Sequence, residues 1–128
     1  MTNPVTVVQQ WQDAINQQDV ERLLELSAPD IEIVGPRGSG HGHQLLRDWL
    51  ARAGLRLTTL RTFSRGDAVV LFQHGVWHAA DTQQVIGEVD VASRFRVQDA
   101  KVIQFARYDN LGEALAAAGL SEDDEVAF

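Results

Sequence analysis

The chain has 128 residues and a formal net charge of −7, with 18 acidic side chains against 11 basic ones. Its single lysine, Lys101, and its scattered arginines form no basic stripe that would neutralise a phosphate backbone, so nucleic acid is excluded as an expected partner. Without cysteine there is neither a disulfide nor a thiolate metal site, and no apolar run approaches the roughly 20 residues that span a bilayer.

This length suits one domain with a core of its own, and 45% apolar residues is ordinary for a globular protein. The first residues, MTNPVTVVQQWQ, carry no secretory pattern, so a cytoplasmic location is expected. A single domain is expected over residues 1–120, followed by an acidic, solvated tail over 121–128.

Asn3-Pro4 is a helix entry, Asn as the cap and Pro in the first helical position. Val5, Val8, Trp11 (or Gln12) and Ile15 then recur at helical spacing and make one apolar stripe. Asp19 can cap a second short helix through Val20, Leu23, Leu24 and Leu26, which Pro29 should end. Ile31 and Ile33, alternating with Glu32 and Val34, predict a strand, and the glycine-rich segment 35–43 predicts a loop. A helix over 44–53 places Leu45, Leu46, Trp49, Leu50 and Ala53 on one face, with Gly54 as its C-terminal cap.

From Arg56 the rhythm changes to two. Strands are predicted at 56–65, 68–79, 84–98 and 101–109, separated by Gly66-Asp67, Asp81-Thr82 and Gln98-Asp99-Ala100. Short turns between consecutive strands make an antiparallel meander. Asn110-x-x-Glu113 then reads as a capping box for a last helix, and Gly119 stops it.

Alternation assigns the faces of the meander. Val89, Val91, Ser93, Phe95 and Val97 should line the buried, concave side, and Ile103 and Phe105 share the parity of Arg107 and Asp109. Strand 68–79 is apolar on both faces, with Val69, Leu71 and Trp77 opposite Val70, Phe72 and Val76. A second copy of the chain is the simplest expected cover for its outer face, hence a homodimer.

Helices first, then strand, loop and helix, then a meander, is an α+β layout. In Trp11-x-x-Ala14-x-x-x-x-Asp19, Pro29-Asp30-Ile-Glu-Ile33, Gly35-Pro36…Gly42…Leu46-x-x-Trp49 and Phe105-Ala-Arg-Tyr108-Asp-Asn110, the chain resembles the nuclear transport factor 2-like superfamily, in its SnoaL-like branch. The resemblance implies a cone-shaped, curved antiparallel or mixed sheet packed by N-terminal helices, a cystatin-like roll. It does not imply one reaction, because the superfamily holds isomerases, polyketide cyclases, epoxide hydrolases, dehydratases and inactive proteins. Members similar to ketosteroid isomerase keep a base carboxylate where Gly35 stands, an oxyanion tyrosine near Trp11 and a protonated aspartate near Ser93. Epoxide-hydrolase-like members keep an aspartate near Arg107. None of these roles survives here, and Asp109 is the one inner carboxylate of the last strand.

The candidate site follows from the concave face. Trp11, Trp49, Phe63, Trp77 and Phe95 are expected to enclose an apolar hollow, with Gln73 and Ser93 as neutral polar groups that orient a ligand. Arg107 can clamp an anion or carbonyl, and Asp109 can move a proton; alternatively the two neutralise each other. His41 in the glycine-rich segment is a second candidate for proton transfer. That segment lacks the residues of a phosphate cradle, and the pairs His41/His43 and His74/His78 lack a supporting third ligand, so neither a metal nor a cofactor is expected. The expected partner is a small, mostly apolar molecule with a polar or anionic end. A cofactor-free isomerase, cyclase or hydratase, a non-catalytic binding module and a dimeric interaction scaffold all stay open.

Overall fold

The computed structural model describes residues 3–35, 38–52, 55–79, 82 and 84–126. The Asn3 side chain accepts the Val5 amide at 2.8 Å and Pro4 takes the first helical position, which starts α1 (Pro4–Gln17). Val5, Val8, Trp11 and Ile15 are all buried along its length, as is Gln12. Asp19 caps α2 (Val20–Glu25) by accepting the Arg22 amide at 3.1 Å. Pro29, expected from the sequence to end this helix, does not end it. The chain leaves it at Leu26, and Pro29 lies inside β1 (Ser27–Gly35), within the irregularity between Ser27 and Glu32 where no ladder partner needs its missing N–H.

The glycine-rich segment is not all loop. Gly38–His41 forms β2, antiparallel to β1, with Glu32 opposite His41 and Ile33 opposite Gly40. Backbone pairing needs no apolar alternation, so composition alone hides this strand. Gly42, at φ +103°, turns the chain into α3 (His43–Arg52), donating its amide to the Ile31 carbonyl at 2.9 Å. The expected cap Gly54 lies outside the described residues, as does Asp81 in a later turn.

Four long strands follow: β3 (Leu55–Arg65), β4 (Ala68–His78), β5 (Val85–Gln98) and β6 (Lys101–Tyr108). Then come α4 (Leu111–Ala118), a single 3-10 turn (Glu122–Asp124) and the short β7 (Glu125–Val126). Asn110 caps α4 by accepting the Glu113 amide at 2.9 Å, and Gly119 closes it in the left-handed conformation, φ +71°.

The strands make one sheet in the order β2-β1-β6-β5-β4-β3-β7, in which only the β1–β6 pair is parallel. Register shifts in β1, in β3 at Leu60, between β4 and β5 at Trp77/His78, and in β6 at Ile103 bend this sheet into a curved, open layer. The three N-terminal helices fill its concave side. Trp11, Ile15, Leu23, Ile31, Leu46, Leu50, Leu71 and Phe95 form one core there. On the convex side α4 packs Ala114 and Leu115 against Phe63, Val70, Ala92 and Leu120.

Three expectations change at this point. Strand 68–79 is indeed apolar on both faces, but α4 covers Val70 and Phe72, so those residues need no second chain. Val89 is 44% exposed and not part of the buried face, because β5 runs past the helices that cover Val91, Phe95 and Val97. The acidic end is not a free tail: β7 pairs with Thr62 and Phe63 of β3, and Arg61 holds Glu122 and Glu125. Residues 127 and 128 lie outside the described part.

The outer edge of β3 is finished by α1. Asn16 donates its side-chain amide to the Leu57 carbonyl at 2.8 Å and accepts the Leu57 N–H at 2.7 Å.

Candidate functional site

Between α3 and the far ends of β5 and β6 the concave side stays open. The cavity there measures about 420 Å³, the size of a pocket for a small organic ligand. Ile33, Trp49, Leu57, Val91 and Phe105 give it apolar walls, and Ser93, Arg107, Tyr108, Asp109 and Glu113 supply its polar groups. A larger groove of about 640 Å³ runs between α1 and β3, but Gln9, Gln12, Asp13, Asn16 and a row of threonines make it polar. An apolar molecule gains little by entering such a groove.

An aromatic cluster supports one wall. Phe105 stands 5.1 Å from Trp11, 5.3 Å from Phe95 and 5.8 Å from Trp49, measured between ring centroids, and Trp11 meets Phe95 edge-on. Tilted and edge-to-face contacts of this kind hold the rings without stacking. Of these rings, Trp49 and Phe105 reach the cavity, whereas Trp11 and Phe95 are buried in the core.

The polar wall comes from two strands in register. Ser93 of β5 lies directly opposite Arg107 of β6, and Asp109 follows Arg107 at the same rim. The guanidinium of Arg107 sits 5.7 Å from the centre of the Trp77 ring. Among the described residues, no ion pair or hydrogen bond satisfies Arg107, so the expected mutual neutralisation of Arg107 and Asp109 is not found. Both side chains are exposed at the cavity mouth instead of being enclosed.

Ser93 is tied inward. Its hydroxyl donates to Gln73 Oε1 at 2.6 Å, Gln73 Nε2 donates to Gln12 Oε1, and Gln12 Nε2 donates to Thr59 Oγ1 at 2.8 Å. Gln73, Gln12 and Ser93 are all buried, so this line of polar groups crosses the core fully bonded.

The structure brings together Trp49, Ser93, Arg107 and Asp109 at the cavity. Trp77 packs at its rim against Leu57 and Val91, while Trp11, Phe95 and Gln73 stand behind the lining. Two candidates lie elsewhere. Phe63 faces α4 on the convex side, because the extra residue Leu60 reverses the alternation that would point it inward. His41 sits on β2 with its side chain 61% exposed and its Nε2 3.8 Å from Glu32, so it does not meet the cavity. Glu32 itself is held below the usual carboxylate range, chiefly by the hydrogen bond from Gln104. Among the described residues, no three His, Asp or Glu side chains are grouped to hold a metal.

Val91 and Phe105 were legible from alternation as inner residues, whereas Leu57 was not singled out. Tyr108 and Glu113 were not: they arrive from the outer parity where β6 ends and α4 begins to wrap the rim.

The same fold recurs in solved structures. A nuclear transport factor 2-like protein from Burkholderia xenovorans is 26% identical, at a TM-score of 0.65 over 90% of this chain and 94% of that one. TerC, co-crystallised with polyporic acid, is 20% identical, with a TM-score of 0.72 over 90% and 96% of the two chains. A protein of ketosteroid isomerase-like fold from Catenulispora acidiphila, in complex with trimethylamine, is 22% identical, with a TM-score of 0.69 over 91% and 95%. No curated protein matches the chain significantly. The SnoaL-like domain model matches residues 8–105, from the first turns of α1 to the aromatic wall of the cavity, and the chain therefore belongs to the SnoaL-like domain family.

Proposed function

We propose that this protein binds a small, mostly apolar molecule in the cavity beside Trp49 and Phe105, with the molecule's anionic or carbonyl end at Arg107. The observation that carries this reading is Arg107 itself: a guanidinium at the mouth of an apolar cavity, laid over Trp77 and without an acidic partner among the described residues. A planar donor of this kind suits a carboxylate or an enolate oxygen. The bound small molecules of TerC and of the Catenulispora protein support the same use of the fold.

Catalysis would be cofactor-free acid–base chemistry of the isomerase, cyclase or hydratase type, in a cytosolic protein. Asp109 is the group that accepts the proton, with Arg107 stabilising the negative charge that develops on the ligand oxygen. The second reading is a binding module without turnover, favoured by the glycine at position 35. A homodimer would draw on Val85 and Ile86, which are 51% and 68% exposed at the start of β5.

The test is a thermal-shift screen of aromatic carboxylates, ketones and lactones against the native protein and Arg107→Ala. Stabilisation of the native protein that disappears in the variant supports the reading; the absence of any stabilising compound overturns it. For a hit, product formation that survives Asp109→Asn unchanged would remove Asp109 from the chemistry.

A further inference from the structure

The line of hydrogen bonds behind Ser93 has a direction. Gln73 Oε1 is an acceptor only, so Ser93 at 2.6 Å must spend its single proton on it. Gln73 keeps that orientation because its Nε2 is taken by Gln12 Oε1, and Gln12 in turn gives its Nε2 to Thr59. Turning one amide alone would set two carbonyl oxygens, or two NH2 groups, face to face in a site from which water is excluded. The amides can reverse only together.

From this we infer that Gln73 is a specificity-determining residue: in the orientation the structure holds it takes the Ser93 proton and leaves Ser93 a hydrogen-bond acceptor toward the cavity, so the ligand presents a hydroxyl or amino hydrogen to Ser93. Resting on the binding reading above, this adds the chemical class of ligand. Across the β5–β6 pair Arg107 can only donate, while Ser93, directly opposite, accepts as long as Gln73 Oε1 holds its proton. The wall therefore reads an anionic or carbonyl oxygen and, beside it, a group that carries a proton. A ligand with two oxygens of the same kind satisfies one position and leaves the other unpaired. Gln73 does not line the cavity, so it acts through Ser93 and is a positioning residue.

The probes are 2-naphthoate, 4-hydroxy-2-naphthoate and 4-methoxy-2-naphthoate, whose carboxylate and 4-substituent are too far apart to bond each other. Isothermal titration should rank them hydroxy, unsubstituted, methoxy, with the hydroxy compound about tenfold tighter than the unsubstituted one, the yield of one good hydrogen bond. Ser93→Ala should remove the advantage of the hydroxyl. Gln73→Met should weaken it or turn it toward the methoxy compound, because the Ser93 proton is then free to donate. A merely structural role for Gln73 would change all three affinities alike. Should Gln73→Met fail to fold, Ser93→Ala and the native ranking still decide whether Ser93 acts as the acceptor. Equal affinity of the native protein for all three overturns the assignment of Ser93 and leaves the binding reading standing. Binding of none of them overturns both.

Discussion

The indole Nε1 of Trp11 donates to Ser27 Oγ at 2.8 Å, and the Ser27 hydroxyl donates onward to the Leu23 carbonyl at 2.7 Å. One buried hydroxyl thus joins α1, α2 and the start of β1. Ser27→Ala leaves the indole N–H unsatisfied in the core and should cost about 1–3 kcal/mol. Trp11→Phe removes the donor as well as part of a buried ring. In a double-mutant cycle measured by urea unfolding, the pair should cost less than the sum of the single changes.

Arg107 is predicted to govern affinity without governing stability. Arg107→Ala should leave the free energy of unfolding within about 0.5 kcal/mol of native, as for an exposed side chain outside the core. The same change should weaken binding of an aromatic carboxylate by about 1.5–3 kcal/mol, roughly ten- to a hundredfold. Arg107→Lys keeps the charge but loses the planar fork, and its affinity should fall between the two. Paired denaturation and titration experiments check both halves.

His74 provides a pH test remote from the cavity. Its Nδ1 lies 2.8 Å from Asp90 and its Nε2 3.9 Å from Glu88. The hydrogen bond to Asp90, with the charges of both carboxylates, raises its pKa above the usual imidazole value against a smaller opposing effect of desolvation. A raised folded pKa means stability that is fully present below about pH 6.5, the unfolded value, and lost as pH rises through the folded value. The difference in Tm between the native protein and His74→Gln should be largest below that pH and shrink above it. NMR titration of the imidazole should place the native midpoint above that of a free histidine.

Two glycines separate backbone freedom from mere smallness. Gly42 has φ +103°, outside the left-handed region that other residues visit, whereas Gly66 has φ +62°, inside it. Gly42→Ala should destabilise by about 1–3 kcal/mol. Gly66→Asn should cost markedly less, because asparagine tolerates that conformation. Denaturant midpoints of the two variants give the comparison.

Much of the fold was readable from the amino acids where periodicity was strong. The α1 stripe, the Asp19 and Asn110 caps and the four long strands needed only local patterning. Part of what patterning missed has one cause: a single residue inserted in a strand shifts every later side chain to the other face. Leu60 does this in β3 and sends Phe63 to the convex side. Ile103 does it in β6, where Val102 and Phe105 both face inward although their numbers differ in parity. The candidate site was legible where β5 ran regularly, at Ser93 and its neighbour Val91. It was not legible at Tyr108 and Glu113, which owe their place to the turn between β6 and α4; His41, named from the sequence, drops out because strand β2, which carries no alternation to read, holds it away from the cavity.

The pairing of Asn16 with Leu57 also bears on how this protein behaves in a crowded solution. An unpaired strand edge offers its N–H and C=O groups to any other chain and is a template for aggregation. Here a side-chain amide occupies both groups of Leu57, two residues of β7 cover Thr62 and Phe63, and the Leu60 bulge interrupts the stretch between. No run of this edge is long and regular enough to recruit a foreign strand. The β3 side of the cup is closed to other chains while its hollow stays open to small molecules.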